Sequence, residues 1–515
     1  MKSKGVFLAA ILAAVLCSSG NVFAVLSGGG TQENPYLIQS RTDFDTFANP
    51  ANAATYWASG VYTKLICNLD MADTIYTQAV IAPDMDTEDG TEEFVGTQFT
   101  GIFDGNGHVV SGLLVIESEK DYIGLFGAVG TGGEVKNLGI ENAGISGRSY
   151  VGGLAGQTYG SLTNCYVMGW VVSGGYNAGG LTGWSGTGTL TDCYATCSVG
   201  VDDTAGGLVG WNDSSTLINC YATGSVNSND TAGGLVGWGN SGSLTGCHAT
   251  GTVAGQSYVG GLMGYNDNGV GQLNSCYATG SVNGADHVGG LVGQNWGPAV
   301  SSCYATGSVY GTYYDIGGLI GFDYGPVTNC YATGSVSGTG DIVGGLLGDA
   351  QNGLVSDCYA AGSVSGTSRV GGLVGYLSTD IANCFWDINT SETSDGVGNV
   401  NPDPAGVAGK TTAQMKTLST FTSAGWDFSA TDGDPADWVM LANSYPRLAW
   451  QTSYPGDIAG SYGVNFVDYV YFATHWLMTG CSSSNNFCGG ADLNASGTVD
   501  MFDLDILADN WLKGF

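Results

Sequence analysis

A seven-residue pattern of alternating polar and small or apolar positions recurs through the middle of the chain. In the copy that begins at Cys220, one parity holds Cys220, Ala222 and Val226, and the other holds Tyr221 and Thr223. Alternation with a period of two is typical of a strand with one buried face. We therefore predict short strands with the cysteine side chain inside and the tyrosine ring outside.

The pattern is part of a longer repeat with two landmarks, a leucine after a Gly-Gly pair and the cysteine. The leucines, spaced by 27 to 29 residues, are Leu154, Leu181, Leu208, Leu235, Leu262, Leu291, Leu319, Leu346 and Leu373. The cysteines, spaced by 26 to 29 residues, are Cys165, Cys193, Cys220, Cys247, Cys276, Cys303, Cys330, Cys358 and Cys384. A unit this short cannot bury a strand face alone, so the copies must stack.

Stacked copies form a parallel β-solenoid in which equivalent residues lie above one another. The residue before each cysteine, such as Asn219 or Asp192, is a turn former and marks a corner. The outer tyrosine positions form a predicted ladder: Tyr166, Tyr194, Tyr221, His248, Tyr277, Tyr304, Tyr331, Tyr359 and Phe385. The inner face of the VGGLVG segment stays unassigned, because its leucine and the next valine fall on opposite parities.

Composition excludes two classes of partner. The 515 residues include 88 glycines and only 11% charged residues, and 12 Lys+Arg against 45 Asp+Glu give a net charge of −33. Such a charge repels phosphate backbones and anionic membrane surfaces. We therefore expect no nucleic-acid partner, and no apolar stretch after the leader is long enough to predict a membrane span.

The first residues have the form of a secretory signal. Lys2 and Lys4 precede an apolar run, and small residues end at Ala24, which predicts a signal peptide over residues 1–24. A lipoprotein reading at Cys17 is disfavoured, because bulky Leu16 stands where a small residue is expected. We expect a secreted protein, either extracellular or held at the cell surface.

The GGLVG and NCYATGSV segments resemble the GLUG repeat of secreted bacterial surface proteins. A lead-in from Gly30 through Pro35-Tyr36 and the segment from Phe99 to Leu113 extend this resemblance to about residues 28–386. The resemblance implies a right-handed β-helix, with an N-terminal cap at residues 25–98, repeats at 99–386, and a C-terminal cap and linker at 387–455. It is nearly silent on activity.

The last part of the chain repeats with an offset of 35 residues and contains a calcium-loop pattern. Oxygen-bearing residues stand at loop positions 1, 3, 5, 7, 9 and 12, with Gly497 at the turn position 6. These residues are Asp492, Asn494, Ser496, Thr498, Asp500 and Asp503. The first copy keeps Asp457, Ser461, Asn465 and Asp468, but Ala459 replaces a ligand and Tyr462 replaces the turn glycine, so we expect weaker binding there.

Two loop-helix units at residues 456–515 resemble a type I dockerin, the calcium-stabilised plug of cellulosome-like assemblies. The resemblance implies a small α-helical module, bound calcium, and a cohesin-like or other surface protein as partner. Dockerins commonly carry small hydroxylated residues at loop positions 10 and 11. Here Phe466-Val467 and Met501-Phe502 occupy those positions, which favours an apolar docking face over standard cohesin recognition.

The cysteines divide into two groups. Cys481 and Cys488 bracket a Ser/Asn-rich loop in a predicted exported segment and are the best candidates for a disulfide. Ladder cysteines lie within disulfide range at the rung spacing, but their parallel side chains suit that bond poorly. We interpret them as small buried hydrophobic residues.

The repeats lack the usual catalytic groups. Lys and Arg are absent between Arg148 and Arg369, Glu is absent between Glu141 and Glu392, and no histidine begins an H-E-x-x-H motif. The repeats thus offer only Asp, His248, His287 and Tyr as acid-base groups. A paired-carboxylate site in the less regular region 50–120 stays open.

One position carries Trp184, Trp211, Trp238 and Tyr265 in four successive copies. Such a row suits stacking on sugar rings, although stacking of the rings on one another explains it equally well, and ice binding is a further alternative. We interpret the chain as a non-catalytic exported scaffold for adhesion or glycan binding, with a dockerin-like tail. The alternative is a glycoside hydrolase or lyase on a β-helix, acting in extracellular polysaccharide degradation.

We predict that residues 457–512 bind one calcium ion tightly, in the second loop, because crowded carboxylates repel one another without a cation. Asp492→Ala and Asp503→Ala should each abolish this binding. Calorimetry on this module is the measurement. Two equally tight sites would contradict the weaker first loop, and unchanged affinity in both variants would remove the site.

Overall fold

A computed structural model describes most of the chain. The described residues are 25–86, 93–267, 271–429, 437–440 and 443–452, and in the tail 464, 466–479, 481, 491–493, 496, 498–509 and 511. From Tyr36 to Lys410 the described strands pair in parallel, each with its equivalent about one repeat away. The predicted parallel β-solenoid with rungs of about 27 residues is confirmed, for example by the pairing of Leu190 with Leu217.

One rung shows the order of its strands. It contains β1 (Thr204–Gly206), β2 (Val209–Asn212), β3 (Thr216–Ile218), β4 (Tyr221–Ala222) and β5 (Val226–Ser228). The corner before Cys220 is made by Asn219, whose φ of 52° is the left-handed conformation that the sequence predicts there.

The equivalents of each strand stack into a continuous sheet. The β1 sheet has nine strands: Val151–Gly152, Ala178–Gly179, Thr204–Gly206, Thr231–Gly233, Val259–Gly260, Val288–Gly289, Ile316–Gly317, Val343–Gly344 and Val370–Gly371. The β2 sheet has ten: Phe126–Val129, Ala155–Thr158, Thr182–Ser185, Val209–Asn212, Val236–Gly239, Met263–Asn266, Val292–Asn295, Ile320–Asp323, Leu347–Ala350 and Val374–Leu377. The β3 sheet has thirteen: Tyr36–Ile38, Tyr62–Leu65, Ile102–Asp104, Glu134–Lys136, Ser161–Thr163, Thr189–Thr191, Thr216–Ile218, Leu244–Thr245, Leu273–Asn274, Val300–Ser301, Val327–Thr328, Val355–Ser356 and Ile381–Ala382.

The β4 and β5 stacks are joined in two long strands, Gly139–Gly147 and Tyr166–Ser173, and separate in the later rungs. The other β4 equivalents are Leu69–Asp70, Val109–Ser111, Tyr194–Ala195, Tyr221–Ala222, His248–Ala249, Tyr277–Ala278, Tyr304–Ala305, Tyr331–Ala332, Tyr359–Ala360, Cys384–Asp387 and Val407–Lys410. The other β5 equivalents are Ile75–Tyr76, Leu114–Ile116, Ser198–Val201, Val226–Ser228, Val253–Ala254, Val282–Asn283, Val309–Gly311, Val336–Gly338 and Val364–Ser365.

In the VGGLVG segment, side chains at both odd and even positions are buried, because the chain bends between β1 and β2. Leu208 and Val209 are both fully buried, one in the bend and the next at the start of β2. Gly206 and Gly207 permit the bend, since a Cβ on either would overlap a backbone carbonyl oxygen, of Val209 or of Gly234. This is the inner face that the sequence pattern leaves unassigned.

The cysteine ladder lies fully inside and consists of free thiols. Sulfur atoms of the ladder accept hydrogen bonds from the neighbouring rung. The backbone N–H of Cys276 donates to Cys303 Sγ, and that of Cys303 donates to Cys330 Sγ, both at 3.4 Å. Burial raises the pKa of the Cys276 thiol well above its ordinary value. These contacts agree with cysteine as a small core residue.

Both ends of the solenoid are covered. At the N-terminal end, helix α1 (Arg41–Ala48), a 3-10 turn (Pro50–Asn52) and α2 (Ala53–Tyr56) pack an aromatic cluster onto the first rungs, with Phe47 5.4 Å from Phe103 between ring centroids. At the C-terminal end the short helix α3 (Ile388–Ser391) lies between the last two β4 equivalents, and α4 (Thr412–Met415) and α5 (Leu418–Thr422) follow the last of them. An antiparallel pair, Trp438–Val439 with Arg447–Leu448, leads into a 3-10 turn (Ala449–Thr452).

The described residues between 411 and 452, here named the flank segment, return along the side of the solenoid. Trp450 Nε1 donates to the Ser302 carbonyl at 2.9 Å, and Trp438 Nε1 donates to Asn329 Oδ1 at 3.1 Å. Gln451 Nε2 donates to the Tyr331 hydroxyl at 2.8 Å. The later part of the tyrosine ladder is therefore covered, unlike the open outward ladder that the sequence suggests.

The described residues of the tail include two nine-residue helices, α6 (Phe466–Thr474) and α7 (Met501–Asp509). They share a small core that includes Val464, Phe472 and Leu507. Within the described part of the chain, helices long and apolar enough to cross a membrane are absent.

We predict that Gly280→Ala destabilises the solenoid by at least about 3 kcal/mol, because the added Cβ would overlap the Gly251 carbonyl of the preceding rung. Urea unfolding, with hydrogen exchange at the adjoining rungs, measures the loss. Gly200→Ala is the matched control, since its Cβ would meet nothing nearer than Val172 Cγ2 at 4.0 Å. Equal stability of the two variants would contradict the steric argument.

Candidate functional site

An aromatic stripe runs along the β2 sheet. Trp184, Trp211, Trp238 and Tyr265 are in register, one in each of four successive rungs. Their successive ring centroids are 6.5, 6.1 and 4.2 Å apart, and the rings are tilted by 43°, 37° and 34°. The rings are half-buried and form a stepped surface, not a flat stack.

Two of these indole rings, those of Trp184 and Trp211, have a buried N–H group without a hydrogen-bond partner among the described residues. An unsatisfied buried donor costs roughly 1–3 kcal/mol. Tyrosine or phenylalanine would stack without that cost, so stability alone does not account for tryptophan here.

The stripe continues with residues that the sequence analysis did not single out. The next positions in register are Gln294, Phe322, Asp349 and Tyr376. Beside it runs a corner ladder made by the residue before the Ala, Val or Ile of each β1 strand: Tyr150, Asn177, Thr204, Thr231, Tyr258, His287, Asp315, Ile342 and Arg369. The two rows pack together, as where the Tyr258 and Tyr265 rings lie 5.1 Å apart and Arg369 lies 5.7 Å from the Tyr376 ring centroid.

The corner ladder brings a histidine between two carboxylates, here named the histidine cluster (Asp286, His287 and Asp315). His287 Nδ1 lies 3.3 Å from Asp286 Oδ1, and its Nε2 lies 3.3 Å from Asp315 Oδ2. The imidazole ring also contacts Tyr258 and Phe322, at centroid distances of 5.3 and 5.7 Å. The repeat already held this signal, because His287 and Asp315 occupy the same position in successive copies.

Burial and charge act in opposite directions in the histidine cluster. Burial lowers the pKa of His287, but the contact with Asp286 and then attraction from Asp315 outweigh it, and the pKa is raised. Burial raises the pKa of Asp315 to about 7, against the opposing effect of His287. Burial also raises the pKa of Asp349 on the adjacent stripe.

A polar ladder lies on the inner side of the same sheet. Asn266 Nδ2 donates to Asn295 Oδ1, and Asn295 Nδ2 donates to Asp323 Oδ1, both at 2.8 Å. Burial raises the pKa of Asp323 to about 8, although the bond from Asn295 lowers it in part. Its carboxyl group is thus mostly neutral at pH 7 and has a structural place inside the solenoid.

The tyrosine ladder is a true stack. From Tyr166 to Tyr359, ring centroids of neighbouring rungs are 4.5 to 5.0 Å apart, with interplanar angles of 1° to 7°. The flank segment covers its later members, so that Tyr331 and Tyr359 are buried, whereas the rings from Tyr166 to His248 lie outside that cover. Only the earlier part offers an open face.

A cleft of about 480 Å³ on the β3 sheet brings acids and bases together, some from the region 50–120 and some from outside it. The cleft is lined in part by Glu33, Lys64, Asp104 and Lys136. Lys64 Nζ is 3.9 Å from Asp104 Oδ2, and Lys136 Nζ is 2.7 Å from Glu134 Oε1. These carboxylates therefore face lysines, an arrangement that differs from a pair of facing carboxylates.

The second calcium loop is described in part. Asp492 Oδ1 accepts from the Ser496 N–H, and Asp503 Oδ2 accepts from the Asp500 N–H, both at 2.9 Å. Asp492 and Asp503 are buried, and Thr498 lies between them in the loop. The candidate metal-ligating atoms in the described part of the loop are all oxygens, and such a set fits a hard cation such as calcium.

Only some of the other predicted tail residues are among the described residues. Asp468 of the first loop is buried, while Asp457, Ser461, Asn465 and, in the second loop, Asn494 lie outside the described residues. Cys481 is disulfide-bonded, and Cys488 lies outside the described residues.

The solenoid fold is that of a repeat scaffold, and comparison with known proteins identifies the repeat. The model of the GLUG motif matches residues 147–172, 204–227 and 284–310. Over these stretches the rungs are GLUG repeats. This confirms the sequence resemblance at the level of the repeat.

Two relatives match part of the chain. Halomucin of Haloquadratum walsbyi is 34% identical over 164 residues, which are 31% of this chain and 2% of that protein. A protein of Evansella cellulosilytica with the provisional name Gly-rich membrane protein is 33% identical over 156 residues, 29% of this chain and 16% of that protein. The chain thus spans a small share of either relative.

A solved structure also aligns with the chain. It is provisionally titled an immunoglobulin A1 protease from Bacteroides ovatus, and the alignment covers 82% of this chain and 94% of that one. The sequence identity is 19% and the TM-score is 0.26. This likeness carries no argument about the activity of the present chain.

We predict that His248→Tyr removes a residue of the tyrosine ladder that makes the stability of the protein fall at acid pH. Burial lowers the pKa of His248 from 6.5 to about 4, so the unfolded chain binds more protons between these values and stability falls as pH falls through that window. At pH 4 the substitution should gain up to about 3 kcal/mol over the parent protein, and at pH 8 much less.

Urea unfolding of both proteins at several pH values measures this difference. His108→Tyr, outside the ladder, is the control because the His108 ring hydrogen-bonds Asn68 on the surface. The same pH dependence in parent and His248→Tyr proteins would contradict the prediction.

Proposed function

We propose that this protein is a non-catalytic exported scaffold that binds a neutral glycan along the aromatic stripe. The observation that carries the proposal is the half-buried row Trp184, Trp211, Trp238 and Tyr265, which presents one ring per rung. Aromatic side chains present large apolar faces, which suit stacking against the apolar faces of sugar rings. The unsatisfied indole N–H groups support a role beyond packing.

The charge of the repeats selects the class of glycan. Residues 149–368 contain no Lys or Arg, while aspartates occur throughout this span. An anionic polysaccharide would meet repulsion without a compensating cation. A chain of neutral hexoses fits this surface better.

The tail is proposed as the anchor. Calcium held by Asp492, Asp500, Asp503 and their neighbours would order the second loop. Phe466, Met501 and Phe502 are 67%, 58% and 71% exposed, and these are the loop positions where dockerins contact their partners. We therefore favour an apolar surface on a cohesin-like or other extracellular protein as the docking partner.

An enzyme that degrades polysaccharide is the second candidate, and the histidine cluster is the observation that favours it. His287 lies between two carboxylates and beside the same aromatic stripe. In a catalytic protein this group would act on a glycan bound along the stripe. The scaffold proposal expects no cleavage.

We predict that Trp211→Ala weakens glycan binding about tenfold, the effect of roughly 1.4 kcal/mol, because it removes a central ring of the stripe. A glycan array followed by calorimetry on the mature protein, with calcium present, is the measurement. Tyr194→Ala is the matched control, since it removes a ring from the open part of the other ladder.

Three outcomes separate the alternatives. Loss of binding in Tyr194→Ala alone would transfer the function to the tyrosine ladder. A negative array would contradict the glycan proposal. Release of reducing ends or unsaturated products from a bound glycan, abolished by His287→Asn, would favour the enzyme.

A further inference from the structure

We propose that the histidine cluster binds a divalent transition-metal ion of the zinc class on the side of the solenoid. One ligand atom from each of Asp286, His287 and Asp315 lies within 4.8 Å of the others. Zinc bound at roughly 2.0–2.2 Å to nitrogen and oxygen holds neighbouring ligand atoms about 3.4 Å apart. The distance of 3.3 Å from His287 Nδ1 to Asp286 Oδ1 is already close to that separation. Asp315 contacts the other ring nitrogen, Nε2, so its carboxylate has to turn toward Nδ1 to complete a single site.

Two buried atoms of the cluster contact each other but form no hydrogen bond. Asp286 Oδ1 and His287 Nδ1 are both inaccessible to solvent, and neither makes a hydrogen bond with the described residues despite lying 3.3 Å apart. Unsatisfied buried polar atoms cost roughly 1–3 kcal/mol each. A cation bound by both atoms would remove that cost.

Gln294 is an independent sign of a ligand. It is 95% buried, with a relative exposure of 5%, and its Oε1 has no hydrogen-bond partner among the described residues. Gln294 follows His287 by seven positions in the same rung, as Tyr265 follows Tyr258 and Tyr376 follows Arg369. In both of those pairs the side chains contact across the corner. By the same register Gln294 is the neighbour of His287 in its rung, where its Oε1 would be a further oxygen ligand.

Charge around the cluster favours a cation. Asp349 joins Asp286 and Asp315 in the electrostatic surroundings of His287, so three carboxylates act on this one ring. Arg369 is the basic side chain that acts on Asp315 and Asp349, and it also lies 3.6 Å from Asp341. The carboxylates therefore outnumber the nearby permanent cation.

The ligand type selects the metal. An imidazole nitrogen with carboxylate and amide oxygens suits zinc and its neighbours, whereas calcium and magnesium prefer oxygen alone. The Tyr258 and Phe322 rings hold the imidazole from two sides, which limits its reorientation on binding. This site is thus distinct in chemistry from the calcium loop of the tail, and it stands independently of the glycan proposal.

The test is a calorimetric titration of ZnCl₂ into the full mature chain after chelator treatment, with calcium in excess to occupy the tail. We expect one zinc site that calcium does not displace. Asp315→Asn and His287→Asn should each weaken it at least tenfold. Both positions have positive φ, 53° and 48°, which asparagine tolerates, so the variants should fold.

His108→Ala and His475→Ala are matched controls, because they remove other imidazoles from the chain. Retained zinc binding in both controls, with loss in the two asparagine variants, supports the site. Unchanged affinity in His287→Asn and Asp315→Asn, or loss in a control variant alone, would overturn it. Absence of zinc binding to the parent protein would also overturn it.

Discussion

In-register stacking of the rungs is the constraint on which the rest of the structure depends. Parallel strands pair at about 4.7–4.9 Å, so each residue lies directly over its equivalent in the preceding copy. The spacing lies within the roughly 4.5–7 Å range of centroid distances that offset-stacked aromatic rings prefer, which is why the tyrosine rings stack within 5.0 Å and nearly parallel. The same spacing forbids a Cβ at Gly251 or Gly280, where the backbone of the preceding rung passes too close.

Stacking also turns a residue choice in one copy into a neighbour relation across two. Asn266, Asn295 and Asp323 pass hydrogen bonds along the inside of the solenoid because each occupies the same position of its rung. On the outside, His287 and Asp315 occupy the same position of successive rungs. Their imidazole and carboxylate groups are therefore in contact although the residues are 28 positions apart in sequence. In such a fold, the residues that interact occupy equivalent positions of successive repeats more often than neighbouring positions in the sequence.

The sequence predicts much of this, because period and parity are local. The alternation around Cys220 indicates which side chains are buried, and the column from Trp184 to Tyr265 follows from alignment of the copies. The inner face of the GGL segment could not be predicted, since the bend after Gly206 changes the parity. The cover over Tyr331 could not be predicted either, because it depends on contacts with Gln451, 120 residues away.

The flank segment changes how cooperatively the solenoid unfolds. In a simple stack each rung contacts only its neighbours, so unfolding proceeds inward from a frayed end. Here a single crossing segment bonds to rungs at Ser302, Asn329, Tyr331 and Asn383, and so ties several rungs together. We therefore expect the rungs that the flank segment bonds to open together, while the rungs outside it can open singly.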